Sequence, residues 1–135
     1  MFRVKYSREI ILKILYQIDV LKANAGESEE ILRNHLKFFR GPTSEEKEFI
    51  SGIVRQVLKD KPRIDHLISA NLIAWKIERL NPIDRNLLRM GIAESGISEK
   101  AKKVVIIDDI LRIAKKYSEH DAYKIINAIL DKVIP

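Results

Sequence analysis

One stretch, residues 81–94, constrains the fold of this chain more than any other. Its sequence is NPIDRNLLRMGIAE, and it opens with a helix-start signature. Asn81 is predicted to cap the helix, Pro82 suits the first helical position, and Asp84 places a carboxylate at the positive end of the helix dipole. The apolar residues that follow cover more than one face, which is typical of a helix buried between others. Gly91 costs roughly 1 kcal/mol against alanine in a helix interior, so we expect a second helix to approach closely there.

Helical spacing of apolar residues recurs on both sides of this central helix. Helix three has the clearest start, because Thr43 and Glu46 have the spacing of a capping box, and Ser118 with Asp121 repeats a cap signature before the last helix. A short helical turn is expected around Trp75, and the central helix is predicted to end at Gly96. The other predicted helices run from Val4 or Ser7 to Ala23, from a cap at Ser28 to Gly41–Pro42, from Pro62 to Leu72, and from Val104 to Ala114. The pattern predicts an all-α protein of about seven helices.

The length of 135 residues fits a single domain spanning 1–135, and a composition that is 46% hydrophobic supports a core. No uncharged apolar run approaches the roughly 18 residues of a membrane span. The N-terminus lacks the apolar run and cleavage site of a secretory signal. Because the chain has no cysteine, disulfide and thiolate chemistry are excluded, and a cytoplasmic location fits.

Nothing in the sequence indicates catalysis, a metal or a cofactor. The three histidines lie far apart and lack the spacing of metal ligands, and the five glycines stand alone rather than forming a phosphate-binding loop. Asp108 and Asp109 are neighbours that point about 100° apart on a helix, so we interpret them as flanking the core. Trp75 is interpreted as a packing anchor.

The chain carries 25 Lys and Arg against 19 Asp and Glu, a net charge of +6, which favours anionic partners. Two basic clusters have aromatic neighbours. This combination suits single-stranded RNA, because cations neutralise its phosphates and aromatic rings stack on its unpaired bases. A solvated surface, or lysines drawn to a helix C-terminus, explains the same charges. The first cluster contains Arg3, Lys5, Arg8 and Lys13, with Phe2, Tyr6 and Tyr16; the second contains Lys100, Lys102, Lys103, Arg112, Lys115, Lys116, Tyr117 and Lys124.

Several motifs, in order, resemble the NusB family of bacterial transcription antitermination factors. The run REIILKILYQID at 8–19 resembles the first helix of the family, and IDRNLLR at 83–89 with Glu94 follows its central pattern. The segment from Ile64–Asp65 through Trp75 to Arg79–Leu80 also matches. The runs IDDILRIAKKY at 107–117 and KIINAILD at 124–131 resemble the last two helices.

The resemblance implies a fold of two small packed helical bundles and a non-enzymatic role. It implies binding of boxA-type RNA together with NusE, a small-subunit ribosomal protein, within the transcription elongation complex during ribosomal RNA synthesis. Both monomers and homodimers occur in the family. Carried over onto this chain, the RNA-binding residues are Arg3, Lys5, Arg8, Tyr16, Tyr117, Asp121 and Lys124. The residues carried over for the protein partner are Asp84, Arg85 and Glu94.

A helical interaction module that works through protein contacts alone is the alternative. It is motivated by the N-terminal run, which here is only VKYSR at 4–8, thinner in arginine than the family pattern. Affinity for a boxA-like RNA, with and without the ribosomal partner, separates the two hypotheses.

Overall fold

The computed structural model describes residues 2–38, 41–73, 76–98 and 102–135. Within these ranges the protein contains seven α-helices and no strand, as the sequence predicts. The first four are α1 (Val4–Leu21), α2 (Ala25–Phe38), α3 (Ser44–Lys59) and α4 (Lys61–Ser69). After a single 3₁₀ turn (Ile77–Arg79) come α5 (Pro82–Ile97), α6 (Lys103–Tyr117) and α7 (Ala122–Val133). The predictions at Trp75 and Lys100 lie outside the described residues.

Helix α5 is central, as predicted, since it packs against α1, α3, α4, α6 and α7. Its first turn is capped by Asn81, whose Oδ1 accepts a hydrogen bond from the backbone N–H of Ile83 at 2.8 Å. A Cβ on Gly91 would lie 3.3 Å from Leu130 of α7, which confirms the close approach inferred from this glycine. Helices α1, α2 and α3 form one group and α5, α6 and α7 another, with α1 and α5 in contact between them.

Three local predictions about helix ends have clear outcomes. The capping box of α3 is present, with Thr43 and Glu46 bonding each other's backbone N–H groups. The cap of α2 was wrongly placed, because Asn24 and Glu27 form the reciprocal pair and Ser28 lies buried inside the helix. The cap of α7 was also misplaced, because the hydroxyl of Ser118 donates to the Asp84 carboxylate instead.

None of the helices in the described part of the chain has the length and apolar character that a membrane span requires. The same residues contain no cluster of three or more His, Asp or Glu arranged to hold a metal ion.

Candidate nucleic-acid interface

The N-terminus of α1 presents one cation to solvent and uses another to hold the fold together. The Arg3 side chain donates to both carboxylate oxygens of Glu46 at 3.0 Å and to the Gly41 carbonyl, so it joins α1 to the start of α3. Hydrogen bonds from Arg3 and from the backbone of Thr43 lower the pKa of Glu46 to about 2. Lys5, two residues later, is exposed. Of these two candidates, Lys5 is therefore the one with its cation open to an incoming phosphate.

Arg8 is buried, with only 3% of its surface exposed. Its guanidinium donates to both carboxylate oxygens of Glu94 at 2.8 and 2.5 Å, and to Asp109 at 2.9 Å. Burial alone would lower the pKa of Arg8, but the hydrogen bonds to Glu94 and Asp109 raise the pKa above its ordinary value. This placement corrects the expectation that Arg8 contacts phosphates, because the group that would bind them is enclosed by two carboxylates that join α1, α5 and α6.

The three residues carried over for a protein partner do not share a surface. Glu94 is 1% exposed and is committed to Arg8, so it cannot contact a partner in this arrangement. Arg85 forms a two-bond ion pair with Asp19 of α1, at 2.6 and 2.8 Å, beside a cavity of about 770 Å³. Asp84 is half-buried, and burial raises the pKa of its carboxyl above the ordinary value. The hydrogen bond from Ser118 lowers the pKa in part, and the nearby charge of Glu119 raises it further. Arg85 and Asp84 therefore line separate concave surfaces, and Glu94 lines neither.

Glu9 joins α1 to the C-terminal half of α6. Its carboxylate accepts hydrogen bonds from Lys116 at 2.7 Å, from the Tyr117 hydroxyl at 2.8 Å and from Arg112 at 3.1 Å. Burial would raise the pKa of Glu9, but these three donors lower the pKa to about 2. The carboxylate is therefore fully ionised near neutral pH. Three donors from two turns of one helix converge on a single anion.

The sequence contained only a partial signal for this cluster. Arg112 and Lys116 are four residues apart, so they share one face of α6, which helical spacing predicts. Nothing in the sequence shows that Glu9, more than 100 residues away, is the anion they meet.

The first groove brings together the two tyrosines that the sequence selected. It has a volume of about 480 Å³ and lies between α1, the start of α5 and the end of α6. Tyr16 is 41% exposed and Tyr117 is 36% exposed. Further along α1 the lining is apolar, with exposed Val20 and Leu21. This groove is lined by two tyrosines at one end and by aliphatic side chains at the other.

The second groove holds the remaining predicted RNA residues. It has a volume of about 840 Å³ and is lined by Asp84, Asp121 and Lys124 among others. Lys124 and Asp121 are both exposed, with Lys124 Nζ 3.5 Å from the Asp121 carboxylate. Two adjacent residues at the start of α5 divide the two grooves, since Ile83 lines the first and Asp84 the second. The structure thus separates the predicted RNA residues into neighbouring sites.

Comparison with known proteins covers nearly the whole chain. The family model described as the NusB family matches residues 5–135. The transcription antitermination protein NusB of Ruminiclostridium cellulolyticum is 34% identical over 127 residues, which is 94% of this chain and 85% of that protein.

Solved structures agree with the sequence comparison. T. maritima NusB superposes with a TM-score of 0.90 at 28% identity, covering 98% of this chain and 91% of the other. A structure of the antitermination factors NusB and NusE in complex with dsRNA gives a TM-score of 0.85 at 25% identity, covering 96% of this chain and 94% of the matched chain.

Proposed function

Because this chain belongs to the NusB family, we propose that it is a transcription antitermination factor that binds boxA-type single-stranded RNA together with NusE. Its role is non-enzymatic and supports ribosomal RNA transcription in the elongation complex, which places it in the cytoplasm. We propose that residues 1–135 act as a single RNA-binding helical domain. Because both monomers and homodimers occur in the family, a homodimer also remains a prediction for this chain.

A group of cations and tyrosines on adjoining faces of α1 and α6 is the observation that carries the RNA-binding part of this proposal. On α1, Lys5 and Tyr16 lie three helical turns apart on one side, with Glu9 between them. From α6, three side chains reach the same side of α1 by donating hydrogen bonds to the Glu9 carboxylate: those of Arg112, Lys116 and Tyr117. Cations that neutralise phosphates next to rings that stack on bases are what an unpaired RNA strand requires. We assign Tyr16 and Tyr117 to base stacking.

NusE is assigned to the aliphatic end of the first groove. Val20 and Leu21 are 45% and 61% exposed, and exposed apolar side chains in a concave surface suit a protein partner better than a polyanion. A solved relative holds NusB and NusE together. Asp84, a predicted partner residue that lines the second groove, lies across the start of α5 from this surface.

The alternative is a helical interaction module that has no RNA affinity. It is favoured by the engagement of the N-terminal arginines, since Arg3 pairs with Glu46 and Arg8 with Glu94 and Asp109. Of the three N-terminal cations carried over from the family, this leaves Lys5 with an exposed charge.

The double variant Lys5→Ala, Lys124→Ala is expected to weaken RNA binding and change its salt dependence. For single strands, the slope of log affinity against log salt is about −0.7 per phosphate contact, so losing two contacts should flatten it by roughly 1.4. Fluorescence anisotropy with a labelled boxA-like single strand, measured across several salt concentrations, gives both quantities.

The double variant Lys59→Ala, Lys61→Ala is the matched control, because both are exposed lysines where α3 meets α4 and their loss changes the net charge equally. It should leave the slope unchanged. Unchanged affinity and slope in the variant Lys5→Ala, Lys124→Ala would reject the phosphate contacts predicted for these two lysines. A wild-type protein with no RNA affinity would favour the interaction module.

A further inference from the structure

The carboxylate of Glu9 occupies a position that has the donors of a phosphate site. A lysine ammonium, an arginine guanidinium and a tyrosine hydroxyl all point at it within 3.1 Å. Carboxylates and phosphates accept charge-assisted hydrogen bonds from the same donors with similar geometry. The three donors hold an anion in the free protein, and that anion belongs to the chain itself.

We propose that Arg112, Lys116 and Tyr117 form a phosphate-binding subsite for RNA, which Glu9 fills until a backbone phosphate displaces it. This inference rests on the proposed RNA binding and adds a specific contact and a built-in competitor to it. Displacement exchanges one anion for another at the same donors, so the cations are never left without a partner.

The exposure of each group suits this exchange. The side chains of Lys116 and Arg112 are 54% and 35% exposed, whereas that of Glu9 is only 16% exposed. The donors therefore have open outer sides from which a phosphate can approach. Arg112 also donates to Asp109 at 2.6 Å, a bond that keeps its guanidinium in place when Glu9 is displaced.

The subsite also lies beside a surface for bases. Tyr117 contributes its hydroxyl to the Glu9 cluster and also lines the first groove, together with Tyr16. A strand whose phosphate binds at Lys116 would have its neighbouring base next to these rings. Phosphate and base recognition are then joined through one residue, as single-strand binding requires.

A simpler interpretation is that Glu9 only clamps α1 to α6. Under that interpretation its removal weakens the fold and leaves RNA affinity unchanged. Under the competitor hypothesis, removal of its charge frees two cations for phosphate and increases affinity. The two interpretations therefore predict different effects of the same variant on RNA binding.

Glu9→Gln tests the inference, since it removes the charge and keeps the shape. We expect the variant to bind a boxA-like single strand about two- to fivefold more tightly, the effect of one exposed ion pair. Its salt slope should stay at the wild-type value, because the same phosphate contact forms in both proteins and only the competing carboxylate is removed. Glu29→Gln is the matched control, because Glu29 forms an exposed pair with Arg55 between α2 and α3 and its loss changes the net charge equally.

Lys116→Gln supplies an independent test that does not depend on how well the Glu9 variant folds. In the otherwise wild-type chain it should weaken RNA binding and flatten the slope by roughly 0.7. Added to Glu9→Gln, it should cancel the gain in affinity.

The outcomes separate this inference from the proposed function. If wild type binds RNA and Glu9→Gln behaves like Glu29→Gln, the subsite is rejected and RNA binding stands. If Lys116→Gln leaves affinity and slope unchanged, the subsite is also rejected. If neither wild type nor Glu9→Gln binds RNA, the proposed function fails as well.

Discussion

Arg8→Ala is expected to lower the free energy of unfolding by about 3–5 kcal/mol, because it removes one partner of a buried ion cluster. Glu94 and Asp109 are 1% and 5% exposed; without the guanidinium, Glu94 loses its buried ion-pair partner and Asp109 retains only Arg112. Urea titration followed by circular dichroism measures the change, with the slope of the transition confirming that the unfolded state is unaltered.

Arg55→Ala is the control for this measurement, since its pair with Glu29 lies on the surface. A surface pair contributes about 0–1 kcal/mol. If Arg8→Ala costs no more than Arg55→Ala, water reaches the cluster and Arg8 is not the structural residue described here.

Leu88→Ala is expected to destabilise the protein by about 2–5 kcal/mol, as truncation of buried leucines does. Leu88 is 1% exposed and lies on α5, which packs against five other helices, so the cavity cannot collapse easily. Leu21→Ala serves as the control, because Leu21 is 61% exposed and its truncation should change stability by less than about 0.5 kcal/mol. Equal losses in the two variants would show that α5 is not the central helix.

The fold was predictable because its signals are local. Asn81 and Thr43 cap helices through atoms two or three residues away, and the apolar spacing of each helix determines which face is buried. The central position of α5 followed from apolar residues on several of its faces. Two helix starts were misplaced, at Ser28 and Ser118. A serine hydroxyl can cap a helix, but it can also be buried or bind another side chain. In the folded protein, tertiary packing selects between those uses.

The site was less predictable because its charges are paired across long separations. Arg8 meets Glu94 and Asp109, which are 86 and 101 residues away, and a charged residue on a helix is ordinarily exposed. The resemblance selected Arg8 by its place at the start of the matched run at 8–19, yet that place says nothing about the direction in which its side chain points. Tyr16 and Tyr117, in contrast, do line one groove.

RNA affinity measured with and without NusE tests the central claim most directly. Fluorescence anisotropy with a labelled boxA-like single strand should show salt-sensitive binding by the protein alone and tighter binding when the NusE of the same organism is added. The same strand annealed to its complement should bind more weakly to the protein alone, because paired bases cannot stack on Tyr16 and Tyr117. Absence of single-strand binding under either condition, while the protein remains folded, would contradict the proposed RNA binding.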